Sequence, residues 1–181
     1  VDDRLIFSCD GASNPVVVAL DTKSGREAWR YKRPGDSPKK FAFCTPTLIE
    51  VSGKPLVVIP GADSMAALDP KTGEAVWFIR YTGYSVIPRP LFANGLVYMS
   101  TSFDSPSLIA IRPDGSGDVT DSHIAWQVKR GAPHTPSLLL VGEELYMVAD
   151  KGIVTCLDAK TGDQIWQERI GGNFSASPIY A

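Results

Sequence analysis

Short runs in which apolar and polar residues alternate cover the chain, each ended by glycine, aspartate, asparagine or proline. The clearest set opens at Thr135: "TPSLLLV", "ELYMVAD", "IVTCLDAKTG" and "DQIWQERI". These runs are brief and rich in Val, Ile, Leu and Tyr, as half-buried strands are. No apolar stripe with a helical period competes with them. The runs come in groups of four, and the groups recur. Tryptophans fall at Trp29, Trp77, Trp126 and Trp166, with gaps of 48, 49 and 40 residues. A proline-bearing segment begins a unit at Thr45, Arg89, Thr135 and Ser177. Four short strands repeating every ~40–50 residues predict an all-β propeller of four-stranded antiparallel blades. We label the strands of a unit A to D, from the proline segment to the tryptophan segment.

The join between strands C and D has its own spelling. "ALDPKTGEAVW" runs from Ala67 to Trp77, "ALDTKSGREAW" from Ala19 to Trp29, and "CLDAKTGDQIW" from Cys156 to Trp166. The aspartates at Asp21, Asp69 and Asp158 are suited to accept hydrogen bonds from backbone N–H groups two or three residues on. The glycines at Gly25, Gly73 and Gly162 can adopt positive φ without a steric cost. Each C-to-D join is therefore a tight hairpin. The small residues Ala19, Ala67, Ala110 and Cys156 are expected to leave a slot into which a neighbouring blade's tryptophan docks. The unit at Ala110 departs from the plan, with Arg112 in the aspartate position and a longer hairpin before Trp126.

The pattern Ala-x-Asp-x-x-Thr-Gly-x-x-x-Trp resembles the tryptophan-docking motif of the PQQ-like, quinoprotein-type β-propeller repeat family. It is complete at Ala67–Trp77, carries Ser24 for threonine in the first copy, and carries Cys156 for alanine in the last. The resemblance spans essentially the whole chain. It implies a ring of seven or eight blades, of which this chain supplies about four. The expected division is residues 1–33 completed by 174–181, then 43–81, 86–130 and 135–170, as a single domain. The last segment would supply strand A of the first blade. A second copy of the chain, or further sequence, would then complete the ring.

Composition narrows the partners. Eighteen Lys and Arg stand against 20 Asp and Glu, for a formal charge of −2, which provides no overall pull toward nucleic acid. No apolar run approaches the ~20 residues of a membrane helix. Three cysteines cannot all pair within the chain. Cys9 and Cys156 read as small buried hydrophobes within strands.

Several reactive groupings can be weighed against simpler readings. PQQ-dependent dehydrogenases of the resembled family imply calcium held by carboxylates and amides, an aspartate base and often adjacent cysteines. No such cluster can be assembled here, so the reading carries no cofactor, no metal and no catalytic residue. His123 and His134 are the only histidines, too few for a histidine-based zinc site, and no GxSxG elbow supports a hydrolytic triad. His134 reads as a residue lining the mouth or stabilising a turn. Asp114, Ser116 and Asp118 have the spacing of a calcium loop, but Ala125 stands where its bidentate acid belongs. That stretch reads as a polar hairpin insertion.

The D-to-A joins are more distinctive. They carry Lys39, Lys40, Arg89, Lys129, Arg130 and His134, interleaved with Phe41, Tyr81, Tyr84 and Phe174. In a propeller these joins and the B-to-C joins build one face. A basic, aromatic face suits an acidic peptide, an anionic glycan or a phosphate, although loop charge is often only solvated. The expected function is a non-catalytic scaffold that binds a partner protein or polymer through this face. The alternatives are a piece of a quinoprotein dehydrogenase and a sensor domain of a signalling protein. The resembled family includes a lipoprotein scaffold of outer-membrane barrel assembly, which implies a periplasmic or extracellular setting.

Overall fold

The computed structural model describes residues 2–11, 13–34 and 38–181. Residues 35–37 of the first basic loop, and Val1 and Ala12 of the first expected unit, lie outside this set. The described residues form strands and turns with no helix. Sheet 1 holds β1 (Arg4–Cys9), β2 (Val16–Asp21) and β3 (Glu27–Lys32). Sheet 2 holds β4 (Thr47–Val51), β5 (Lys54–Pro60), β6 (Ser64–Leu68) and β7 (Ala75–Arg80). Sheet 3 holds β8 (Leu91–Ala93), β9 (Leu96–Ser100), β10 (Leu108–Ile111) and, after the short β11 (Gly117–Asp118), β12 (Ile124–Val128). Sheet 4 holds β13 (Leu139–Val141), β14 (Glu144–Val148), β15 (Ile153–Asp158) and β16 (Gln164–Arg169). Apart from β11, each sheet is an antiparallel meander in chain order, so four propeller blades stand in series.

Alternation within the strands decides which neighbour each residue meets. Met65 and Ala67 of β6 face blade 3, in a core with Trp77, Val97, Met99 and Ile109. Ala66 and Leu68 face blade 1, beside Val17, Ala19 and Trp29. Blades 3 and 4 are joined likewise through Tyr98, Leu108, Leu145 and Met147. Three inter-blade layers thus form most of the core, with a smaller cluster at Ala42, Cys44 and Val86, and blades 2 and 3 are stabilised by neighbours on both faces.

The hairpin chemistry takes the form its residues dictate. Asp21, Asp69 and Asp158 each accept two backbone N–H bonds through Oδ1, at 2.7–3.2 Å. The N–H of Gly25, Gly73 and Gly162 donates to the carbonyl of the same aspartate at 2.8 Å. All three glycines have positive φ, from 68° to 78°.

Three arrangements differ from the sequence expectation. Residues 174–181 form no strand and sheet 1 has only three, so β1 is an edge. Ser177 Oγ instead accepts the N–H of Ser137. This repeats the contact in which Ser137 Oγ accepts the N–H of Arg89. The terminal segment therefore sits beside blade 4, where the strand A of a following blade would begin. Secondly, β11 adds to sheet 2 as a fifth strand, pairing in parallel with β7 through Gly117 and Asp118. The long hairpin of blade 3 thus clamps blade 2. Thirdly, Cys9 is exposed, whereas Cys44 and Cys156 are buried. Cys9 ends edge strand β1, where no further strand shields it.

Candidate functional site

The tryptophan docks are governed by glycine. Gly73 backs onto the Trp29 ring so closely that a Cβ there would lie 2.5 Å from it. Trp29 Nε1 donates to Pro70 O in the same turn at 3.0 Å. Gly162 receives Trp126 in the same way, and Trp126 Nε1 donates to Ala159 O at 3.1 Å. The small residues play another part. Ala19, Ala67, Ala110 and Cys156 pair across the hairpin with the tryptophan of their own blade. In all four sheets the register slips just past that pair, leaving one extra residue before the tryptophan. Such a bulge re-aims a side chain, here toward the next blade's turn. Trp77 lacks a complete dock. Its indole N–H is buried without a partner, in contrast to those of Trp29 and Trp126. Trp166 has no facing turn and is 40 % exposed.

The D-to-A and B-to-C joins do meet on one face, across blades. Lys39 Nζ lies 2.8 Å from Asp104 Oδ2 and 4.2 Å from the centre of the Tyr84 ring. Tyr84 packs on Phe103 at 6.1 Å, and Phe103 packs on His134 at 5.1 Å. His134 closes the row against Asp150, its backbone N–H at 2.7 Å and Nδ1 at 3.1 Å from Oδ2. The Thr135 hydroxyl donates to the other Asp150 oxygen. Burial pushes the Asp150 carboxyl up, but the bonds from Thr135 and His134 outweigh it and hold the group below its ordinary range. The result is an aromatic and cationic ledge, Lys39–Tyr84–Phe103–His134. Beside it the exposed rings of Phe41 and Phe43 stack at 6.3 Å. His134 thus links the join before blade 4 to Asp150 and to Phe103 of blade 3.

Other members of the expected face go elsewhere. Arg89 points into a cleft between the first strands of the blades. Lys129 shares a separate inter-blade cleft with Arg80. Lys40 is half-buried and Arg130 exposed. Sequence reasoning missed Asp150, Phe103 and Asp104, because the ledge joins residues from different units and no local pattern marks them.

Among the described residues no three His, Cys, Asp or Glu side chains converge in a way that could hold a metal. Buried Cys44 donates to Pro88 O, and burial pushes its thiol up to about 12. Asp118 of the calcium-like stretch is engaged by Thr120 and Arg80, and Asp114 lies 3.8 Å from His123.

Serial antiparallel blades, aspartate–glycine hairpins and tryptophan docks define a PQQ-like β-propeller repeat protein. The family model described as outer membrane protein assembly factor BamB matches residues 13–180, and the chain belongs to that family. A curated relative of the same description, from Burkholderia pseudomallei (strain K96243), is 37% identical over 60 residues, 32% of this chain and 16% of that protein. The crystal structure of BamB from Moraxella catarrhalis superposes with a TM-score of 0.71 at 19% identity, covering 93% of this chain and 50% of that one. A quinohemoprotein alcohol dehydrogenase from Pseudomonas putida HK5 shares the fold with a TM-score of 0.65 at 15% identity, over 93% of this chain and 33% of its own. The chain thus spans about half of the Moraxella protein it resembles.

Proposed function

We propose that the chain is a non-catalytic scaffold of outer-membrane protein assembly, acting in the periplasm and binding a partner protein through its loop face. The family match over residues 13–180 carries this reading. The ledge supports it: exposed aromatic rings are among the residues that protein interfaces use as anchors. No cofactor is assigned. The likeness to the alcohol dehydrogenase is one of fold, and fold alone does not transfer chemistry.

The test is site-specific photocrosslinking in cells making the chain. A photoreactive phenylalanine analogue at Phe43 or Phe103 should yield an adduct containing a component of the outer-membrane assembly machinery. The same analogue at Leu5, exposed on edge strand β1, should not. Adducts at Leu5 alone, or none with that machinery, would overturn the assignment. Added PQQ and calcium should leave the melting temperature unchanged.

A further inference from the structure

First strands of neighbouring blades approach each other, as β4 and β8 do, and the strand openings are tied together along the rim of the space between them. Thr47 Oγ1 donates to Pro90 O at 2.9 Å, Arg89 N donates to Ser137 Oγ at 3.0 Å, and Ser137 N donates to Ser177 Oγ at 2.9 Å. Between them lies a cleft of about 510 Å³ whose walls include Leu48, Phe92 and Leu138. Arg89 is the one charged residue lining it, and no carboxylate does.

The hydrogen-bond roles in this cleft are lopsided. Arg89 Nε donates to Thr47 Oγ1 at 3.1 Å. Among the described residues nothing accepts from the two terminal nitrogens of that guanidinium. Ser137 and Ser177 each accept a backbone N–H, so each keeps its own hydroxyl proton to give. Three blade positions thus converge on one small space with uncommitted donors and a fixed positive charge. A guanidinium flanked by hydroxyl donors is matched by a carboxylate. The apolar walls would meet the side chains on either side of it.

We infer that the rim cleft is a carboxylate subsite, in which Arg89 with Ser137 and Ser177 holds the acidic side chain of an extended peptide whose neighbouring residues are apolar. The inference rests on the protein-binding reading above and adds a second contact point, built from residues other than those of the ledge. An extended segment fits better than a chain end because the cleft is open and crosses from blade 2 past blade 4.

The experiment uses the whole chain and fluorescence anisotropy. The probe is a labelled peptide with one glutamate between leucines, blocked at both ends. Its glutamine counterpart and a glutamine peptide with a free C-terminal carboxylate are the comparisons. The glutamate peptide should bind about tenfold more tightly than the blocked glutamine peptide. Arg89→Gln should abolish that preference, while Arg89→Lys keeps part of it and Lys39→Gln leaves it whole. Equal affinity for the two blocked peptides, or a preference that survives Arg89→Gln, overturns the subsite. Binding of the free-carboxylate peptide alone overturns the side-chain assignment. A measurement on the unaltered chain guards against misfolding of a variant: the glutamate peptide should shift the amide resonances of Arg89, Ser137 and Ser177, and shifts confined to the ledge overturn the placement. If the peptides fail while the photocrosslinks persist, the subsite falls and the scaffold reading stands. The opposite pattern removes the scaffold reading and leaves a carboxylate site.

Discussion

At the residue scale, stability turns on where a side chain is forbidden. Gly73 has φ +76° and no room for a methyl group against the Trp29 ring, whereas Gly142 has φ +61° with nothing within 4 Å of its missing Cβ. Placing alanine in the left-handed region costs about 1–2 kcal/mol by itself. Gly142→Ala should therefore lower unfolding free energy by about that amount in a urea melt. Gly73→Ala must also displace the docked indole, and should cost roughly 2–4 kcal/mol. Equal losses would mean that the glycine serves its turn alone and not the dock. The aspartates and glycines of these hairpins are legible in sequence because each acts on groups within five residues of itself. The docking partner was less legible: alanine seemed to supply the slot, but only the three-dimensional register shows glycine facing the ring.

At the scale of elements, contacts distant in sequence fasten one blade to the next. Arg33 follows β3 and pairs with Asp10, just after β1, at 2.7 and 2.9 Å, with the arginine side chain 4 % and the aspartate 0 % exposed. The same guanidinium donates to the carbonyls of Ile59 and Pro60 at the end of β5. It therefore ties both ends of blade 1 to blade 2, and Gly61 leaves the room it needs. Burial raises the Asp10 carboxyl against the pull of Arg33, so removing the arginine leaves an acid and two carbonyls without a donor. Arg33→Ala should cost about 3–5 kcal/mol, read as a fall in the denaturation midpoint. A loss below about 1 kcal/mol would show that water replaces the latch. Nothing in "KRPG" or "CDG" advertises this pair. The parallel addition of β11 to β7 was equally hidden. Its traces were Arg112 in an aspartate's place and the longer hairpin before Trp126.

At the scale of the molecule, blade repetition is written in the tryptophan period, but the arrangement of the two outer faces is not. Which strand a segment pairs with is not written in its own residues, so "SPIYA" read as strand A of the first blade. The structure sets it beside Ser137 and leaves β16 exposed along its length, with Ile165 52 %, Trp166 40 % and Ile170 60 % accessible. Beyond it Ile179 and Tyr180 are 86 % and 74 % exposed, while Leu5 on edge strand β1 is 56 % exposed at the other end. An uncovered blade face with a docking tryptophan is built to receive an aspartate–glycine turn like that at Asp21–Gly25, whose own blade-1 face is uncovered. The purified chain should therefore self-associate head to tail, since unpaired strand edges and apolar faces recruit partners. Two copies would supply eight blade equivalents. Light scattering after size exclusion should give about twice the 19.6 kDa chain mass. Trp166→Lys, which puts a charge where the turn would dock, should return the mass to that of one chain without lowering the melting temperature of the monomer. A single-chain mass for the unaltered protein at high micromolar concentration would defeat this expectation, and would mean that the two faces are hydrated more favourably than they pair.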